Sequence, residues 1–145
     1  MIPPSINVSE VVNDDRQLRS LIGLGRAEFE KLLSEFTSCL KEDQHKNRNG
    51  KPKKKHRQRK IGGGRKSALG SPEIQLLFIL FYLKNYPTYD VLAFTFNISR
   101  GGAFESVQRL LPILKQTQKN LKVLPRRTTD DPQELLQVIE VLIIF

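Results

Sequence analysis

Residues 88–111 read TYDVLAFTFNISRGGAFESVQRLL, and the way this stretch folds decides the architecture of the chain. Thr88 with Asp90 has the composition of a helix start, and Leu92, Ala93 and Phe96 follow at spacings that bring them to one side of that helix. Asn97 falls where the chain must turn, because its short amide side chain tolerates the left-handed conformation. Ser99 is then the capping candidate for a second helix, in which Ala103, Val107, Leu110, Leu111 and Leu114 form an apolar stripe. Pro112 interrupts the stripe and is expected either to end the helix near Leu111 or to kink it, since it lacks an N–H and collides with the preceding turn. In a pair joined by so tight a turn the first helix braces the second. Ala93 and Ile98 are the small residue and the turn hydrophobe that such packing needs.

Working outward, Ser71-Pro72-Glu73 starts another helix: Ser caps, Pro occupies a first-turn position where its missing N–H costs nothing, and Glu complements the dipole. It should run to about Lys84, and its Ile74–Tyr82 segment is apolar nearly all round, which predicts a central helix contacted on several sides. Nearer the amino terminus, Phe29, Leu32, Leu33, Phe36 and Leu40 share one face of a helix predicted from about Arg26 to Lys41. Leu18, Leu21 and Ile22 make a shorter stripe after the caps Asn13 and Asp14, and Gly23 and Gly25 break the chain between the two. Helices this small need a partner to cover them, either the rest of the chain or another copy. At the far end, Asp131-Pro132-Gln133-Glu134 has the form of a capping box before a short helix to about Val138. Val141–Phe145 is rich in β-branched residues and reads as a buried strand with no sheet to join.

The charge is as localised as the apolar pattern. The 145 residues include 24 Lys and Arg against 15 acids, a net charge of +9. Eleven of those basic residues and no acid fall between Lys46 and Lys66, which leaves 13 basic against 15 acidic residues elsewhere. With Ile61 as its single large aliphatic residue, that stretch cannot bury enough surface to offset its ordering entropy, and we read it as a flexible arm. The fold class expected is therefore mainly α. It comprises a small helical segment at 1–45, a basic arm at 46–70, a helix-turn-helix-like domain at 71–128, and a short helix with an orphan strand at 129–145.

Several chemistries are excluded. A lone Cys39 closes no intrachain disulfide, and with only His45 and His56 beside it no four-ligand zinc site can form. Gly64-Arg65-Lys66-Ser67 has Arg where a phosphate-binding loop needs Gly before the Lys, and no strand leads into it. Asp130 and Asp131 look like a catalytic pair, but capping accounts for Asp131; His45 and His56 lie in or beside the solvated arm, without the positioned partner a general base requires. Cys39, Phe78, Phe94 and Phe104 read as packing residues. Met1–Glu10 has no basic start followed by an apolar core, and the longest apolar run, Leu76–Leu83, is far short of the roughly 20 residues that span a bilayer. A cytoplasmic protein without a membrane partner is expected.

Concentrated positive charge points to a polyanion, and nucleic acid leads. In a helix-turn-helix the amino end of the second helix enters the major groove. If the stripe from Ala103 to Leu114 faces inward, the outward positions are Arg100, Gly101, Glu105, Gln108 and Arg109, with Ser99 at the mouth. Arg pairs with guanine, Gln with adenine, and Glu accepts from a cytosine amino group. Along the arm, Lys53, Lys54, Lys55, Arg57, Arg59 and Lys60 would lie against phosphates and release counterions. Gly62-Gly63-Gly64 followed by Arg65 and Lys66 is thin enough for a narrow minor groove. The same residues also fit a plain helical hairpin with a solubilising linker, a nuclear-import signal or a membrane-surface tether, and RNA stays open beside DNA.

Taken in order, Leu24-Gly25-Arg26 through Leu33, then Gly62-Gly63-Gly64-Arg65-Lys66, then Gln75–Tyr86, then Phe96-Asn97-Ile98-Ser99 and Leu110-Leu111-Pro112 resembles the N-terminal region of bacterial insertion-sequence transposases of the DDE class. The resemblance covers most of the chain from about Leu18, and the glycine-rich basic element followed by the aromatic helix is its most specific part. It implies a region that binds the terminal inverted repeats of the element. It also implies a following ribonuclease-H-like domain whose three carboxylates hold two Mg²⁺ ions, with Val141–Ile144 as that domain's first strand. No residue here matches any of those carboxylates, and Gly101-Gly102 depart from the bulkier start usual for the recognition helix. The expectation is a truncated or frameshifted, non-catalytic portion that needs no cofactor. Double-stranded DNA would be its partner, with a second copy or a separately encoded catalytic part beside it. A stand-alone transcription regulator or repressor of transposition is the alternative.

Overall fold

A computed structural model describes residues 7–45 and 68–123. The basic arm with Lys53 to Lys66, the capping box at 131–134 and the strand expected at 141–145 lie outside the described residues. Those described fold into six helices with no strand among them: α1 (Val8–Asn13), α2 (Asp15–Ile22), α3 (Arg26–Gln44), α4 (Pro72–Asn85), α5 (Tyr89–Phe96) and α6 (Arg100–Asn120). The mainly α fold expected from the sequence is what the described residues adopt.

Local chemistry sets the boundaries. Asp14 caps α2 by accepting from the backbone N–H groups of Arg16 and Gln17, whereas Asn13 is the last residue of α1, a helix the sequence pattern did not reveal. Gly23, at φ 80°, ends α2 in the left-handed conformation. Ser71 caps α4 with Pro72 in the first turn, and Thr88 caps α5 by accepting from the Val91 N–H. The third helix runs three residues past the predicted Lys41, to Gln44.

The helices from both sides of the arm share one core. Phe29 and Phe36 of α3, Leu18 of α2, Leu76–Ile79 of α4, Leu92 of α5 and Val107, Leu110 and Leu114 of α6 are all buried in it. The fourth helix packs against α2, α3 and α6, the several-sided burial that its apolar circumference demands. The stripes of α2 and α3 are thus covered by the rest of the chain. Polar ties fasten the edges: Lys84 Nζ donates to the Arg19 carbonyl at 2.8 Å and Asn85 Nδ2 to the Leu21 carbonyl at 2.9 Å. Asn120 Nδ2 donates to Glu35 Oε1 at 2.7 Å, joining the end of α6 to α3. Near the α2–α3 junction, a hydrogen bond from Arg19 and then the Arg26 backbone N–H hold the Asp15 carboxyl below the usual carboxylate range.

Two expectations are corrected. Phe94 and Phe104 do not join Phe78 in the core: Phe78 is fully buried, but Phe94 is 57% and Phe104 47% exposed. Each lies beside the buried stripe of its helix, next to Ala93 and Ala103, so the helical period turns its ring outward. Of the two outcomes expected at Pro112, an end or a kink, the first is overturned, since α6 continues through it to Asn120.

Candidate nucleic-acid interface

The turn between α5 and α6 has the geometry the sequence predicts. Asn97 takes the left-handed conformation (φ 52°, ψ 49°), and the Ile98 N–H donates to the Ala93 carbonyl at 3.0 Å. Ala93 is buried where the helices meet and Ile98 packs against the core. Ser99 caps α6, its Oγ accepting from the Gly102 N–H at 3.0 Å. That hydroxyl therefore organises the helix start, and a Cβ at Gly102 would sit 3.0 Å from it. At Gly101 a Cβ would meet nothing within 4 Å, so the backbone there is open to a close approach.

Inward, α6 buries Ala103, Val107, Leu110 and Leu114, together with Ile113 and Thr117. Outward, Arg100, Gly101, Glu105, Gln108 and Arg109 are all exposed, as the stripe requires. Their roles diverge in the structure. Arg100 Nε lies 3.7 Å from Asp90 Oδ1, both side chains being largely exposed, a loose pair that holds the guanidinium over the first turn of α5. Arg109 is drawn aside: its Nη2 donates to Gln75 Oε1 at 2.9 Å, while Gln75 Nε2 donates to the Gly70 carbonyl at 3.0 Å. Gln75, 7% exposed, thus links α6 to the residue that precedes the α4 cap, and through it to the root of the arm. Sequence reasoning missed this role. The signal was an amide within the apolar run from Ile74 to Tyr82, which must find partners when buried.

An aromatic cluster borders the same face. Tyr82 stacks on Tyr89 (centroids 6.1 Å, planes 9° apart) and touches Tyr86, and Tyr89 meets Phe104 edge-on at 5.4 Å. The adjoining Tyr89 hydroxyl, with burial adding to it, pushes the Tyr82 phenol up to about 12, so Tyr82 stays neutral near neutral pH. Among the described residues, no group of three or more His, Cys, Asp or Glu is placed to hold a metal ion. No described helix is long and apolar enough to cross a membrane.

A braced second helix presenting a polar face beyond its own cap defines a helix-turn-helix, a DNA-binding class of module. Comparison with known proteins gives the particular kind. Residues 67–119, which span α4, α5 and α6 almost to its end, match the family described as the helix-turn-helix of DDE superfamily endonuclease, and this part of the chain is similar to that family. That match points to DNA binding in the setting of a transposase. No curated protein and no solved structure matches the chain.

Proposed function

We propose that the chain is the DNA-binding, non-catalytic part of a DDE transposase and recognises the terminal inverted repeats of its element. The observation that carries this is the family match over 67–119, which falls on a helix pair with Arg100, Glu105 and Gln108 aligned on the exposed face of the second helix. In this reading the start of α6 enters the major groove. Arg100 reads guanine, Gln108 adenine and Glu105 a cytosine amino group, while Ser99 and the open backbone at Gly101 sit against the sugar-phosphate wall. Lys53, Lys54, Lys55, Arg57, Arg59, Lys60, Arg65 and Lys66 supply phosphate contacts on either side of the groove and little base preference.

Under this reading the chain binds and does not cut; incubation with supercoiled plasmid and Mg²⁺ should leave the plasmid intact. A salt titration of duplex binding is the direct test. The logarithm of the association constant should fall linearly with the logarithm of salt, by about 0.9 for each phosphate contact. Replacing Lys53, Lys54 and Lys55 with Gln should flatten that slope and weaken all sequences alike. A salt-independent association, or none in dilute buffer, overturns the proposal.

A further inference from the structure

Phe104 stands four residues after Arg100 and four before Gln108, so the three side chains follow one shoulder of α6, about 6 Å apart along its axis. Its ring is 47% exposed, although buried stripes lie close by on either side of the helix junction. It is also not loose. The edge-on contact with Tyr89, at 5.4 Å and 81°, sets the ring plane, and Tyr89 is set in turn by its stack on Tyr82. A phenylalanine needed only for packing would turn inward as Phe78 does; this one is braced from behind and presents apolar surface between two polar side chains. In the major groove the apolar feature that such a surface fits is the C5-methyl group of thymine.

Resting on the proposed insertion of α6 into the groove, we infer that Phe104 reads thymine. Its ring packs against the C5-methyl between the base pairs addressed by Arg100 and Gln108, and Tyr89 acts as the positioning residue that holds the ring in register. The base pairs read by the three would then form one short block, with the methyl in its interior.

The test removes the methyl from the DNA rather than the ring from the protein. Duplexes selected from a random pool by the full chain are remade with deoxyuridine in place of thymidine, one position at a time. At one position within the selected block, uridine should weaken binding by about fourfold, the worth of one buried methyl. In Phe104→Ala that discrimination should fall to about one while preference at neighbouring guanine or adenine positions survives; Phe104→Leu should keep part of it. Tyr89→Ala should reduce discrimination with less effect on overall affinity. Equal binding of thymidine and uridine duplexes by the unaltered chain overturns the inference and leaves the proposed function standing. Methyl discrimination that persists in Phe104→Ala assigns the reading elsewhere and overturns it too, as does an unchanged affinity and preference in that variant, which would give the ring to a protein partner. Failure of the unaltered chain to select any duplex overturns the proposed function, and this inference with it.

Discussion

Helices α4 and α6 begin alike and end up with opposite tasks. Both are capped by a serine, and both contain phenylalanine, two residues in α4 and one in α6. In α4, burial runs unbroken from Gln75 to Leu80, so that stretch has no face left to offer a partner. In α6, burial recurs along one stripe, and the opposite side from Arg100 to Gln108 is left to solvent. The difference comes from periodicity rather than from composition alone: an apolar residue on the stripe builds the core, and one next to it is displayed. Phe78 and Phe104 are the same side chain under these two conditions.

Substitution tests the contrast most severely at Phe78. Phe78→Ala should cost about 3–5 kcal/mol of stability in urea unfolding, a large share of what a domain this size has, with DNA binding lost through unfolding. If Phe104→Ala costs as much, the proposed division between a holding and a presenting helix is wrong. On the display side, Arg100→Ala and Gln108→Ala should each lower affinity by about 1–3 kcal/mol at a single base pair, with melting temperature nearly unchanged. Competition between matched and singly altered duplexes reads this directly. The polar exception inside α4 sharpens the comparison further. Gln75→Leu removes the partner of Arg109 and of the Gly70 carbonyl together, and should cost about 1–2 kcal/mol in thermal unfolding. Gly101→Ala should have the smallest effect and the opposite sign, a gain of up to about 1 kcal/mol, because its Cβ enters open space and alanine is the better helix former. The same methyl should weaken duplex binding if the backbone at Gly101 approaches DNA.

Much of this was legible in the sequence because short-range chemistry carries it. Asp14, Ser71, Thr88 and Ser99 cap the helices they precede, and Asn97 makes the left-handed turn. The stripes of α3 and α6 fall on their buried faces, since a period of 3.6 residues is written in the chain itself. What escaped was decided by position or distance. The first helix has only six residues; its signal was Val8, Val11 and Val12 at helical spacing, too brief to stand out. Phe94 and Phe104 were read by residue type when their place beside the stripe was the better guide. Arg109 was placed outward correctly, but its bond to Gln75, 34 residues away, depends on how α4 and α6 cross. That crossing cannot be read from either helix alone.

Pro112 gives α6 an internal seam. Having no amide hydrogen, it leaves the Gln108 carbonyl without the donor that a continuous helix would supply four residues later. Before this seam Arg100 and Phe104 meet Asp90 and Tyr89 of α5, and after it Asn120 reaches Glu35 of α3. Opening on one side therefore need not unzip the other. Amide exchange should resolve two separately breathing stretches within one rod, the half proposed to meet DNA able to adjust its fit while its anchor stays closed.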